Sequence, residues 1–144
     1  MKQLFRMFRP VALAVAVTAP LVAAAQMGPG RGGGRVYDPS TVTTVQGQIL
    51  EIQRVAGPRG HEGVHLTLAA GSEHLDVHLG PAFYVDRQDL KLAKGEQVEV
   101  KGSRVTLRGN PALIAQEVRR EGKVLALRDE SGVPLWSRAR AGRR

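Results

Sequence analysis

The chain contains no cysteine. Disulfides and thiolate metal ligands are therefore excluded, and burial alone must hold the fold. Aromatic residues are scarce: beyond Phe5 and Phe8 near the start there are only Tyr37, Phe83, Tyr84 and Trp136. The apolar segment near the start, Pro10 to Ala25, has 16 residues, short of the ~20 that a spanning helix needs. It follows Lys2, Arg6 and Arg9 and closes on Ala23-Ala24-Ala25. A basic start, a short apolar stretch and small residues at the end form the pattern of a secretory signal peptide, assigned to residues 1–25. Retained rather than cleaved, the same segment would be a membrane anchor. No cysteine follows it, so it does not read as a lipoprotein signal, and no arginine pair marks twin-arginine export. The expected address is exported, in the periplasm.

Positive charge is plentiful, with a net +8 at pH 7, yet its placement matters more than its sum. Arg31 and Arg35 lie in MGPGRGGGR, a glycine-rich stretch read as a flexible leader within residues 26–40. Arg138, Arg140, Arg143 and Arg144 lie in residues 138–144, read as a disordered basic tail. Between Val36 and Ser137 there are 12 basic residues against 13 acidic ones. A nucleic-acid groove carries its charge on the fold, so nucleic acid is a poor partner for this chain. The tail arginines are candidates for contact with a polyanion or an anionic membrane surface.

From Thr41 the texture becomes β-branched and aliphatic, broken by turn signals, which predicts an all-β domain over 41–137. TVTTVQGQILEIQRV places Val45, Gly47 and Ile49 on one face, then changes phase so that Leu50 and Ile52 share the other. Such a strand is bulged and able to serve two sheets. GVHLTLAAGSEHLDVHLG reads as a hairpin turning at Gly71-Ser72. Leu66 then faces Val77 and Leu68 faces Leu75 on one side; His65 faces His78, Thr67 faces Asp76 and Ala69 faces His74 on the other. PAFYVDRQDLKL predicts a short helix opening at Pro81, with Phe83 and Tyr84 packed inward. Two strands follow, the first with a second phase change between Gly102 and Val105, the second after a Gly109-Asn110 turn. GKVLALRD adds a further strand, and Trp136 is expected to pack back on a barrel mouth or edge. Three strands, a helix and two strands match a small OB-like barrel of five to six strands, with the helix between the third and fourth. An SH3-like barrel or a small sandwich is the alternative.

In architecture the chain resembles bacterial periplasmic OB-fold proteins. More specifically, VHLGPAFYVDRQDLKLAKGEQVEVKGSRV, PALIAQEV and LRDESGVPLW resemble the domain shared by the magnetosome proteins MamS and MamX. That resemblance implies an exported or membrane-associated β-barrel module, linked in magnetotactic bacteria to iron mineral maturation. The Cys-x-x-Cys-His motif of the haem-carrying relatives is missing, so haem chemistry is not implied, and no catalytic residue set is carried over.

The polar hairpin face is the candidate site. Imidazoles on one sheet face bind a divalent transition metal if three or four donors converge at about 2.0–2.2 Å from it. His65, His78, Asp76, His74 and, from the neighbouring loop, His61 are the candidate ligands. A two-residue offset along a strand spans ~6.6 Å, which works against all of these donors meeting. The plain alternative is a solvated sheet face. A third reading makes Arg59, His61, His65, Thr67, Asp76 and His78 a contact surface for an envelope protein or small ligand. Catalysis is not expected: there is no nucleophile elbow, GPRG lacks the lysine of a phosphate loop, and Asp129-Glu130 reads as a bend.

Overall fold

The structure is a computed structural model and describes residues 36–141. The signal segment, the leader up to Arg35, and Arg143 and Arg144 lie outside the described residues. Six strands follow in order: β1 (Val42–Ala56), β2 (Glu62–Ala70), β3 (Glu73–Pro81), β4 (Gln97–Leu107), β5 (Asn110–Arg120) and β6 (Lys123–Ala126). A one-turn helix, α1 (Ala82–Val85), separates β3 from β4, and α2 (Leu135–Ala141) follows β6. Hydrogen bonding runs β3-β2-β1-β4-β5-β6, and a parallel β3–β5 pairing closes the first five strands into a ring. This is the expected OB-like barrel, with β6 added outside on β5.

The long first strand serves both halves of the ring as its phase change predicts. Val42 to Gln48 pair with β4 and Gln48 to Ala56 pair with β2, with a bulge between Ile49 and Glu51. Gly47 sits where β1 crosses β2: a Cβ there would lie 2.4 Å from the Ala69 carbonyl oxygen. The requirement is close backbone approach, not an unusual φ.

The β2–β3 hairpin has the expected register, His65 opposite His78 and Thr67 opposite Asp76. Leu66, Leu68, Leu75 and Val77 are at most 1% exposed, each worth about 1.5–3 kcal/mol of burial. A slip of one residue would turn all four outward. The same burial that fixes the inner face therefore fixes which residues face out.

Several local expectations are corrected. The β4–β5 turn is centred on Arg108-Gly109, one residue earlier than predicted, with φ of 51° and 81°. Both values are positive, as in the primed turns that match strand twist. Positive φ costs a non-glycine residue about 1–2 kcal/mol, and glycine's greater chain entropy offsets part of the gain. Arg108→Gly should thus raise the unfolding free energy by about 0.5–1 kcal/mol in urea titrations; a loss would reveal a contact made by the arginine side chain.

Pro81 ends β3 and caps α1 instead of opening it. Tyr84 packs on the core and donates to the Ala126 carbonyl, but Phe83 lies outside the core cluster, edge-on to His61 at 6.3 Å. Residues 37–40, assigned to the end of a flexible leader, are instead held in place. Tyr37 bonds the Gln116 side chain, the Asp38 amide donates to the Ser103 hydroxyl, and Pro39–Thr41 form a 3-10 turn. These contacts bury Ser103 and Gln116 with their polar atoms partnered. At the other end, the tail assigned to 138–144 begins inside α2, because Trp136 anchors that helix against Tyr84 and Arg128. Among the described residues, no helix is long and apolar enough to cross a membrane.

Candidate metal centre

With the aliphatic side of the hairpin sealed inside, His65, Asp76 and His78 project together on its outer face. His78 Nε2 lies 3.1 Å from Asp76 Oδ2, and His65 Nδ1 lies 3.9 Å from Asp76 Oδ1. The two imidazoles overlap, with ring centroids 3.9 Å apart and planes inclined by 38°. One carboxylate thus faces both rings, one oxygen to each. One donor atom from each residue falls within 4.8 Å of the other two. In a tetrahedral ion with bonds of about 2.1 Å, neighbouring donors stand about 3.4 Å apart. The two imidazole–carboxylate separations bracket that value, so modest side-chain rotation would bring all three to one ion.

This convergence departs from the sequence reading. The ~6.6 Å between alternate residues is a backbone spacing, whereas the donors are at the ends of side chains that lean together. Asp76 reaches both its strand neighbour His78 and, diagonally across the hairpin, His65.

The environment favours neutral imidazole at His65. Its side chain is 23% exposed, and burial pushes its pKa below the ordinary histidine range; His78 adds to that push, and Asp76 opposes it. At pH 7 the ring is neutral, the form that coordinates a metal.

The other predicted residues are not brought into the group. His74 is exposed opposite Ala69, toward the hairpin tip. His61 ends the 3-10 turn Pro58–Gly60 and faces Phe83. Arg59 is exposed in that turn with φ 64°. Thr67 stands beside Asp76 on one side and beside Glu51 of β1 on the other. Of the tail arginines, Arg138 is paired with Asp129 at 2.6 Å, which occupies its charge locally, and Arg140 lies within α2. Asp129 organises the bend: its Oδ1 accepts from the Ser131 amide and hydroxyl and from the Val133 amide. Those bonds, led by the Ser131 hydroxyl, hold its carboxyl below the ordinary range.

Two neighbours of the site escaped the sequence reading. Glu51 pairs with Thr67 and Gln53 with His65, so both lie on the outer face beside the group. The signal was present in the phase change, since moving Leu50 and Ile52 to one face puts Glu51 and Gln53 on the other.

No curated protein matches the chain. Residues 41–125 match the MamS/MamX magnetosome protein family, a span that takes in the first five strands, the whole hairpin and the His-Asp-His group. The chain belongs to the MamS/MamX family.

Proposed function

We propose that this MamS/MamX-family barrel is a non-enzymatic metal-binding module of the cell envelope. His65, Asp76 and His78 would hold one divalent first-row transition ion on the outer face of the β2–β3 hairpin. The observation that carries the reading is the three-donor convergence around the Asp76 carboxylate. Two imidazoles and a carboxylate suit ions such as Zn²⁺ or Fe²⁺ better than Ca²⁺ or Mg²⁺, which prefer all-oxygen shells. Binding, not catalysis, is the proposed role, because the sequence offers no nucleophile elbow or phosphate loop. The envelope address is supported by the basic-apolar start ending in Ala23-Ala24-Ala25, and the family is one of magnetosome proteins.

Calorimetry with Zn²⁺ tests the reading. One ion per chain is expected, with affinity reduced at least tenfold, about 1.4 kcal/mol, in His65→Ala and in His78→Ala. His74→Ala and His61→Ala should bind as wild type does. Affinity should also fall between pH 7.5 and pH 5.5, because protons compete for the imidazoles. The depressed His65 pKa places its share of that loss at the lower end of the window. Equal heats for wild type and both hairpin variants would remove the site.

A further inference from the structure

We infer that the ion held by His65, Asp76 and His78 keeps a coordination position open to solvent and fills it with a small anionic oxygen donor, a carboxylate or a phosphate. This rests on the metal reading above and specifies what the site takes: a metal–oxyanion pair instead of a bare ion.

The first support is the number and placement of donors. Three side chains converge, and among the described residues no further histidine, cysteine, aspartate or glutamate joins them. All three come from two adjacent strands and rise from one sheet face, so they occupy one side of the ion. A divalent transition ion takes four or more ligands. The remaining position points away from the sheet, where Asp76 is half exposed.

The second support is charge. One carboxylate against a doubly charged ion leaves a net charge of about +1, which favours an anion over water as the next ligand. Along the cross-strand rows the immediate neighbours are uncharged: Gln53 beside His65 and Thr67 beside Asp76. Glu51 is the nearest competing carboxylate in those rows. It lies two strands from Asp76, about 10 Å away at the usual strand spacing, with Thr67 between them.

Cobalt makes the open position visible, because the d–d absorption of Co²⁺ responds to exchange of a ligand. The full chain should develop these bands with one equivalent of Co²⁺, and His78→Ala should not. Acetate and phosphate, added separately to the cobalt-loaded protein, should each shift the bands saturably. The tighter of the two identifies which oxyanion the site prefers. Failure of Co²⁺ to bind would remove the metal reading itself. Normal cobalt bands that neither anion moves would overturn this inference alone. A response seen in Glu51→Gln but not in wild type would also overturn it, by assigning the fourth position to Glu51.

Discussion

Gly102→Val should lower the unfolding free energy by about 3 kcal/mol, the upper end of what overpacking a tight contact costs. A Cβ at Gly102 would stand 2.3 Å from the Ile114 carbonyl oxygen and 2.9 Å from Ala115 Cα. Both are backbone atoms of the neighbouring strand, so no side-chain rotation relieves the clash, and β5 itself must move. The position is not one of positive φ; the demand for glycine is steric. It coincides with the irregularity between Lys101 and Gly102 in the β4–β5 register, where Gly102 pairs with Ala115. The consequence reaches the proposed metal site, because Ile114 is the parallel partner of His78. Moving β5 drags the strand that carries Asp76 and His78, so the folded fraction should also bind metal less tightly. Gly63→Ala is the matched control: its nearest atom would be His65 Nε2 at 3.6 Å, an ordinary contact, and a change below about 0.5 kcal/mol is expected. Urea unfolding of the two variants side by side decides the matter. A Gly102→Val protein as stable as wild type would mean that the strand crossing relaxes freely.

What was legible in the sequence follows from where the determining physics is local. The hairpin register depends on alternation within 18 residues, and both arms carry it, so the outward placement of His65, Asp76 and His78 could be read directly. The two-sheet role of β1 was equally visible in its phase change. Convergence of the three donors was not, because it depends on side-chain direction across strands and not on backbone spacing. The ring closure is also silent locally. β3 and β5 are distant in sequence and joined by only three parallel pairs, Asp76 with Ala112, Val77 with Leu113 and His78 with Ile114. A short parallel contact needs no turn and leaves no periodic mark of its own. The tail shows the opposite failure, since arginines suggested disorder while the neighbouring Trp136 supplied the apolar anchor of a helix.

Arg128 is the residue that turns this short seam into a stable one, and Arg128→Met should cost about 2–4 kcal/mol. Burial pushes its pKa down to about 10, with Tyr37 opposing that shift. Its Nη1 donates to the Leu79 carbonyl at 3.1 Å and to the Ala115 carbonyl. These carbonyls belong to β3 and β5, each one residue beyond the His78–Ile114 pair where the parallel ladder stops. The guanidinium therefore continues the seam after backbone pairing ends, and its other side covers Trp136 at 4.9 Å from the ring centroid. Methionine fills similar space but removes the charged donor that both carbonyls share, at about 1–3 kcal/mol each. It also loses the cation–π contact, worth about 0.5–2 kcal/mol. Relief of the buried charge works the other way. For a cation whose pKa is depressed on folding, the unfolded chain binds the proton more tightly, so the charged form opposes folding near neutral pH and that opposition fades only as the pH rises past about 10. The difference between wild type and variant should consequently be flat from pH 6 to 9. Arg128→Lys should recover little of the loss, since an ammonium lacks the planar fork and lies less well on the indole. Zinc affinity should fall with stability, because β3 would be freed just beyond His78. Guanidinium or thermal unfolding at several pH values measures the first effect and calorimetry the second; a methionine variant within about 0.5 kcal/mol of wild type would show that the seam holds without its clamp.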